Sequence, residues 1–69
     1  MKTFIKISED TIVNIRNVVK IIKTTEKMYY GNKHTIRYYI NNVDYITQYF
    51  VSKEERNIFF KNICGDLMH

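Results

Sequence analysis

Along "HTIRYYINNVDYITQYF", residues 34–50, apolar and polar positions alternate, stop at a pair of asparagines and alternate again. A period of two marks a half-buried strand. "IRYYI" and "VDYITQYF" therefore read as the arms of a β-hairpin around Asn41-Asn42. A two-residue type I′ loop needs positive φ at both central residues, which asparagine tolerates better than most. Such a loop pairs Ile40 with Val43, Tyr38 with Tyr45, Ile36 with Thr47 and His34 with Tyr49. Those residues share one face, and Thr35, Arg37, Tyr39, Asp44, Ile46 and Gln48 share the other. The first set is the more apolar and is expected to be the core. Tyr38, Tyr45 and Tyr49 are then core rings with hydroxyls at the rim, and Tyr39 lies outside beside Arg37.

"SKEERNIFFKNICG" reads as a helix. Ser52 is a good N-cap, and Glu55 three residues on completes a capping box. Gly65 is placed to end the helix in a left-handed conformation. At about 100° per residue, Phe59, Phe60, Ile63 and Cys64 form one stripe, with Ile58 on the polar side. Leu67 extends the packing past the cap.

The first third fits two patterns. As an amphipathic helix, Ile12, Ile15, Val19 and Ile22 share a face that only Val13 breaks, with acids at the start and lysines at the end. Yet "SEDTIVNIRNVVKIIK" is half Val, Ile and Thr, with no alanine or leucine, which favours strands. The strand reading is preferred. It places a strand in "TFIKI", a turn near Ser8–Asp10, a second strand through Ile15, a bend at Arg16-Asn17 and a third strand from Val18 to Lys23. "TTEKMYYGNK", residues 24–33, contains the turn-forming pair Gly31-Asn32 and reads as a loop. Residues 1–69 thus form one small α+β domain: an antiparallel sheet of about five strands with one C-terminal helix packed on one face.

"DTIVNIRNVVKI", followed later by the helix start "SKEER", resembles two groups of small β-rich proteins. One is the flagellar and swarming-motility regulator family. The other comprises small pleckstrin-homology-like proteins of phages and mobile elements. The resemblance spans nearly the whole chain and implies architecture, a twisted sheet before a helix, without assigning functional residues. The chain departs from the motility pattern in its Asn-Asn turn and in the Tyr-rich stretch before it.

Composition narrows the chemistry. A chain of 69 residues buries a small fraction of its surface and is marginally stable alone. Cys64 is the single cysteine, so an intrachain disulfide and a four-cysteine zinc site are excluded, and a reducing compartment is the natural reading. No run approaches the roughly 20 apolar residues of a membrane helix. Lys6, Glu9 and Asp10 interrupt any signal-peptide core, so a soluble, cytoplasmic protein is expected. The absence of Ala, Pro and Trp beside abundant Ile, Asn, Lys and Tyr suggests AT-rich codons, and with the short length a phage or mobile element of an AT-rich bacterium.

Catalysis finds no constellation. Cys64 sits on the apolar stripe, where it acts as a small hydrophobe. His34 opens a strand, and His69 is the last residue. There is no glycine-rich phosphate loop, HExxH or paired metal spacing, so no enzymatic activity, metal or cofactor is expected.

Binding remains. One helix covers one face of a sheet. The other face, with Arg37, Tyr39 and Ile46 and with Tyr29 and Tyr30 nearby, mixes the residue types found at interface hot spots. An open edge invites pairing, with a second copy as the simplest partner. The preferred expectation is a non-catalytic protein-interaction module, a small regulator or inhibitor that occludes or bridges a partner protein. The alternative is a single-stranded DNA or RNA binder. The net charge is +4, and residues 1–24 hold five Lys/Arg against Glu9 and Asp10. Lys20, Lys23, Lys27, Lys33 and Arg37 would then track phosphates while Tyr29, Tyr30 and Tyr39 stack on bases. AT-rich codons are the preferred account of the lysines.

Overall fold

The computed structural model describes residues 4–67. The chain runs β1 (Phe4–Lys6), β2 (Ile12–Asn14), a 3-10 turn (Ile15–Asn17), β3 (Lys20–Met28), β4 (Gly31–Tyr39), β5 (Tyr45–Phe50) and α1 (Lys53–Leu67). The fold is α+β with five antiparallel strands. They divide between two sheets, a β1-β2 hairpin and a β3-β4-β5 meander, where one sheet was expected. Residues 9–23 contain no α-helix: the chain turns at Ser8–Asp10, runs as strand over 12–14, passes through the 3-10 turn at the expected Arg16-Asn17 bend and is strand again from Lys20. There Asn14 Oδ1 accepts a hydrogen bond from the Arg16 N–H at 3.0 Å and diverts the chain after β2.

The stretch expected to be a loop is strand. β3 continues from Lys20 to Met28, and β4 begins at Gly31, so Tyr29-Tyr30 alone connect them. The β-branched pair Thr24-Thr25 suits a pleated strand, and Gly31 takes the positive φ of +136° that the tight connection requires. β5 pairs with β4 only from His34 to Tyr39, so residues 26–33 project as a two-stranded ribbon.

The β4–β5 register differs by one residue from the two-residue turn. Tyr39 pairs with Tyr45, Tyr38 with Ile46, Ile36 with Gln48 and His34 with Phe50. Neither Asn41 nor Asn42 adopts positive φ. Instead Asn41 Oδ1 accepts from the N–H groups of Val43 and Asp44, both at 2.7 Å, and Asn41 Nδ2 donates to Asp44 Oδ2 at 3.0 Å. The Ile40 N–H closes the loop on the Asp44 carbonyl at 3.1 Å. One added loop residue turns every β5 side chain to the opposite face. Ile46, Gln48 and Phe50 therefore point into the core, while Tyr45, Thr47 and Tyr49 point out. Ile40 and Val43, expected to be a core pair, are exposed in the loop.

The core lies on one side of the meander. Val13, Ile36, Tyr38 and Ile63 are buried, with Ile5, Ile7, Ile15, Val18, Ile21, Ile46, Phe50, Phe59 and Phe60 packed around them. Every meander residue in that group belongs to the inward face, so the β1-β2 hairpin and α1 both lie on that side. Phe50 and Phe59 stack at a tilt, 5.4 Å between centroids. The Tyr38 hydroxyl is fully enclosed and donates to Gln48 Oε1 at 2.5 Å, which satisfies both buried groups.

Ser52 Oγ accepts from the Glu55 N–H at 3.1 Å, which is the N-cap half of the expected box. Gly65 does not end the helix: α1 runs through it to Leu67, and its φ is not positive. The packing proposed for the Leu67 side chain lies outside what is described. Ile58 is exposed, as its position off the stripe implies.

Arg56 went unremarked in the sequence and fastens the helix to the sheet. It is 5 % exposed, and its Nη1 donates to the Thr24 carbonyl at 2.7 Å and to Thr25 Oγ1 at 2.9 Å. Its Nε and Nη2 donate to Asn57 Oδ1 at 3.2 and 3.1 Å. The guanidinium is held by neutral oxygens rather than by a carboxylate. Arg56→Met should lower unfolding stability by about 1.5–3 kcal/mol, the worth of hydrogen bonds to a charged group. Because the acceptors are neutral, the loss in urea midpoint should be the same at low and high salt.

Burial pushes the Tyr38 phenol above its ordinary pKa. The unfolded phenol ionises near pH 10, roughly, and the folded one only above that. Above pH ~10 the folded state holds more protons than the unfolded state, so stability, complete below that pH, falls as pH rises. Urea titrations from pH 8 to 11 should show this fall in the wild type and a shallower one in Tyr38→Phe.

Candidate functional site

The outward face of the meander is built in cross-strand rows. Lys20, Tyr39 and Tyr45 form the first, Ile22, Arg37 and Thr47 the second, and Thr24, Thr35 and Tyr49 the third. Glu26 and Lys33 form a fourth on the projecting ribbon. Thr35 is fully enclosed, and its hydroxyl hydrogen-bonds that of Thr24 across the strands. These two threonines share a row with Tyr49, and the row of Ile22, Arg37 and Thr47 separates them from Tyr39 and Tyr45.

Each ring group carries cations. Tyr39 and Tyr45 lie 5.0 Å apart between centroids, tilted by 47°. Lys20 Nζ sits 4.3 Å from the Tyr39 centroid, and Arg37 Cζ 4.6 Å from that of Tyr45. Lys33 Nζ lies 5.0 Å from the Tyr49 centroid and 6.0 Å from that of Tyr30. These separations are those of cation–π contacts. Tyr45 and Tyr49 are four residues apart on one strand, which separates the ring groups by about 13 Å. The face is thus long enough to engage two planar groups at once.

Electrostatically the face is positive, with Lys20, Lys33 and Arg37 against Glu26. Arg37 Nη2 pairs with Glu26 Oε1 at 3.2 Å, both side chains partly solvent-exposed, so the pair adds little stability and mainly orients the guanidinium. The Tyr30 hydroxyl raises the Lys33 ammonium above its ordinary pKa, and the Tyr39 hydroxyl followed by Glu26 does the same for Arg37. Arg37 Nε is buried without a hydrogen-bond partner.

Of the residues singled out from the sequence, Lys20, Lys33, Arg37 and Tyr39 come together here. Tyr30 joins them through Lys33. Tyr29 is almost wholly exposed at the ribbon tip and meets Tyr30 edge-on, 5.1 Å between centroids. Two candidates are elsewhere. Ile46 packs against the core, because the register turns it inward. Lys23 points to the core side, with Nζ 5.1 Å from the Phe60 centroid. Lys27 shares that inward orientation on the ribbon.

Sequence reasoning missed Tyr45 and Tyr49, placing both in the core. A signal was present. Extending the comparison of faces to Phe50 sets Ile46 and Phe50 against Tyr45, Thr47 and Tyr49, and the first pair is the better core.

The remaining reactive side chains lie apart. His34 is half-buried on the core side, its Nδ1 enclosed without a partner. Cys64 lines an open apolar cleft of about 250 Å³ with Ile15, Val18, Val19 and Phe60. Among the described residues no group of three His, Cys, Asp or Glu side chains comes together to hold a metal. No described helix is long and apolar enough to cross a membrane. The chain matches no protein-family model, no curated protein and no solved structure.

Nitration with tetranitromethane, read by peptide mass spectrometry, checks this face. Tyr29, Tyr30, Tyr45 and Tyr49 should react in the native protein, and Tyr38 only after unfolding. Protection of Tyr45 and Tyr49 in the monomer would restore the two-residue turn and move both rings inside.

Proposed function

We propose that the protein is a non-catalytic single-stranded nucleic-acid binder that uses the open face of β3-β4-β5. The observation that carries this reading is the interleaving of Tyr39, Tyr45 and Tyr49 with Lys20, Arg37 and Lys33 on one face of the meander, which no other described element covers. Base stacking needs exposed ring faces, and backbone tracking needs cations beside them. Each ring here has its cation within reach of a phosphate attached to a stacked base.

A protein partner, the expectation first drawn from the sequence, competes for the same surface. Tyr and Arg favour it. Interface centres, however, are depleted in lysine and enriched in apolar contacts. The register removes Ile46 from this face and adds two tyrosines, which leaves Ile22 and, toward the ribbon tip, Met28 as its aliphatic members. That change favours planar, anionic ligands. A binder of this kind would act by covering a single strand or by bridging it to another molecule.

Fluorescence anisotropy with labelled single-stranded oligonucleotides tests the reading. With three phosphate contacts the log–log salt slope should be about −2, a loss of about 20-fold between 50 and 200 mM salt. Tyr39→Ala and Tyr49→Ala should each cost about 1–3 kcal/mol of binding. Lys61→Gln, on the helix, should change the affinity little. No binding at 20 mM salt would end the proposal. A protein captured by the wild type and lost in Tyr39→Ala, with oligonucleotides ignored, would give the face to a protein partner instead.

A further inference from the structure

We infer that β5 is a homodimer seam, pairing antiparallel with β5 of a second copy about a two-fold axis at Thr47. The meander has two outer strands, and they are defended unequally. β3 carries Lys20, Lys23, Glu26 and Lys27, and Arg56 occupies its Thr24 carbonyl. Charged side chains of this kind keep an edge from pairing with other strands. β5, "YITQYF", carries no charge, proline or glycine, and pairs with β4 in an unbroken register without a bulge. Its outer edge has no strand partner among the described residues. Large apolar side chains are exposed along it and at its ends: Val43 at 77 %, Tyr45 at 44 %, Tyr49 at 59 % and Val51 at 92 %.

The strand is also complementary to itself. Opposed residues in an antiparallel pair point to the same side, so only registers that set odd positions against odd keep the two cores on one side. With Thr47 against Thr47 of the second copy, Tyr45 meets Tyr49 and Tyr49 meets Tyr45 on the open side. Ile46 meets Gln48 on the core side. Aromatic pairs directly across strands are favourable, and no like charges oppose each other. The resulting sheet has six strands, ordered β3-β4-β5-β5-β4-β3, and it abolishes the unguarded edge. It also offsets the marginal size of a 69-residue chain. The inference does not depend on what the open face binds.

Sedimentation equilibrium of the full chain without nucleic acid, across a concentration series, gives the test. The wild type should reach dimer mass. Thr47→Lys, which sets two ammonium groups against each other at the axis from an outward position, should weaken dimerisation about tenfold or more and leave the far-UV circular dichroism unchanged. Thr47→Val should remain a dimer. As a second readout, Thr47→Cys in a Cys64→Ser background should form a symmetric intermolecular disulfide on mild oxidation, because directly opposed Cα atoms lie about 5.5 Å apart, within the roughly 4.4–6.8 Å that a disulfide spans. Lys20→Cys on the other edge should not. A wild type that stays monomeric throughout, a Thr47→Lys variant that dimerises undiminished, or a Thr47→Cys variant that does not cross-link overturns the seam.

Discussion

Asn41 Oδ1 takes hydrogen bonds from two successive backbone N–H groups, those of Val43 and Asp44, and the rest of the sheet follows from that loop. A strand has a period of two, so a loop longer by one residue exchanges the faces of everything after it. The exchange is favourable on both sides. Ile46 and Phe50 enter the core beside Tyr38, while two tyrosines whose hydroxyls need water stay in it. Turn chemistry and burial agree, which is the condition for a register to be well specified.

The small core holds several polar groups, and two of them, the Tyr38 hydroxyl and the Arg56 guanidinium, meet partners chosen by topology. The Tyr38 hydroxyl reaches Gln48 across β4 and β5, so the shifted register is written into a buried hydrogen bond as well as into apolar packing. Arg56 reaches β3 from the helix. Leaving Thr24 O or the guanidinium unpaired would cost more than the bonds contribute, so the contact acts chiefly against other placements of α1. These two contacts fix which strands lie together and where the helix lies on them. With β1-β2 and α1 both on one side of the meander, no element among the described residues covers the other.

Elements that rest on local composition were legible in the sequence. β-Branched residues without alanine marked residues 9–23 as strands, Arg16-Asn17 marked the bend, and Ser52 marked the helix start. Features that rest on choices between nearly equal local options were not. Gly65 has the residue type of a helix end, yet helical backbone at glycine costs only about 1 kcal/mol, and the helix continues. Residues 24–33 have turn formers at one end, and the glycine alone was used for a turn. For the site, Lys20, Lys33, Arg37 and Tyr39 were legible because β4 alternates whatever its partner's register. Tyr45 and Tyr49 were not, because their side of the sheet depends on how a single asparagine amide bonds inside a loop.

The open face owes its chemistry to the same event. Without the shift it would carry Ile46 and Gln48 beside Tyr39, a mixed surface with one ring group. With it, rings stand at both ends of the face, Tyr39 and Tyr45 at one and Tyr49 at the other, with Arg37 and Lys33 held beside Tyr45 and Tyr49 on cross-strand diagonals. A cation resting on a ring costs little to redirect, since exposed cation–π contacts contribute only about 0.5–1 kcal/mol. A phosphate could draw Lys20 or Lys33 off its ring without disturbing the fold, and the freed ring face would then accept a base. Under the proposed function, the pairing of lysine with tyrosine in the unbound protein would keep both groups in place for a ligand that offers one flat face and one negative charge.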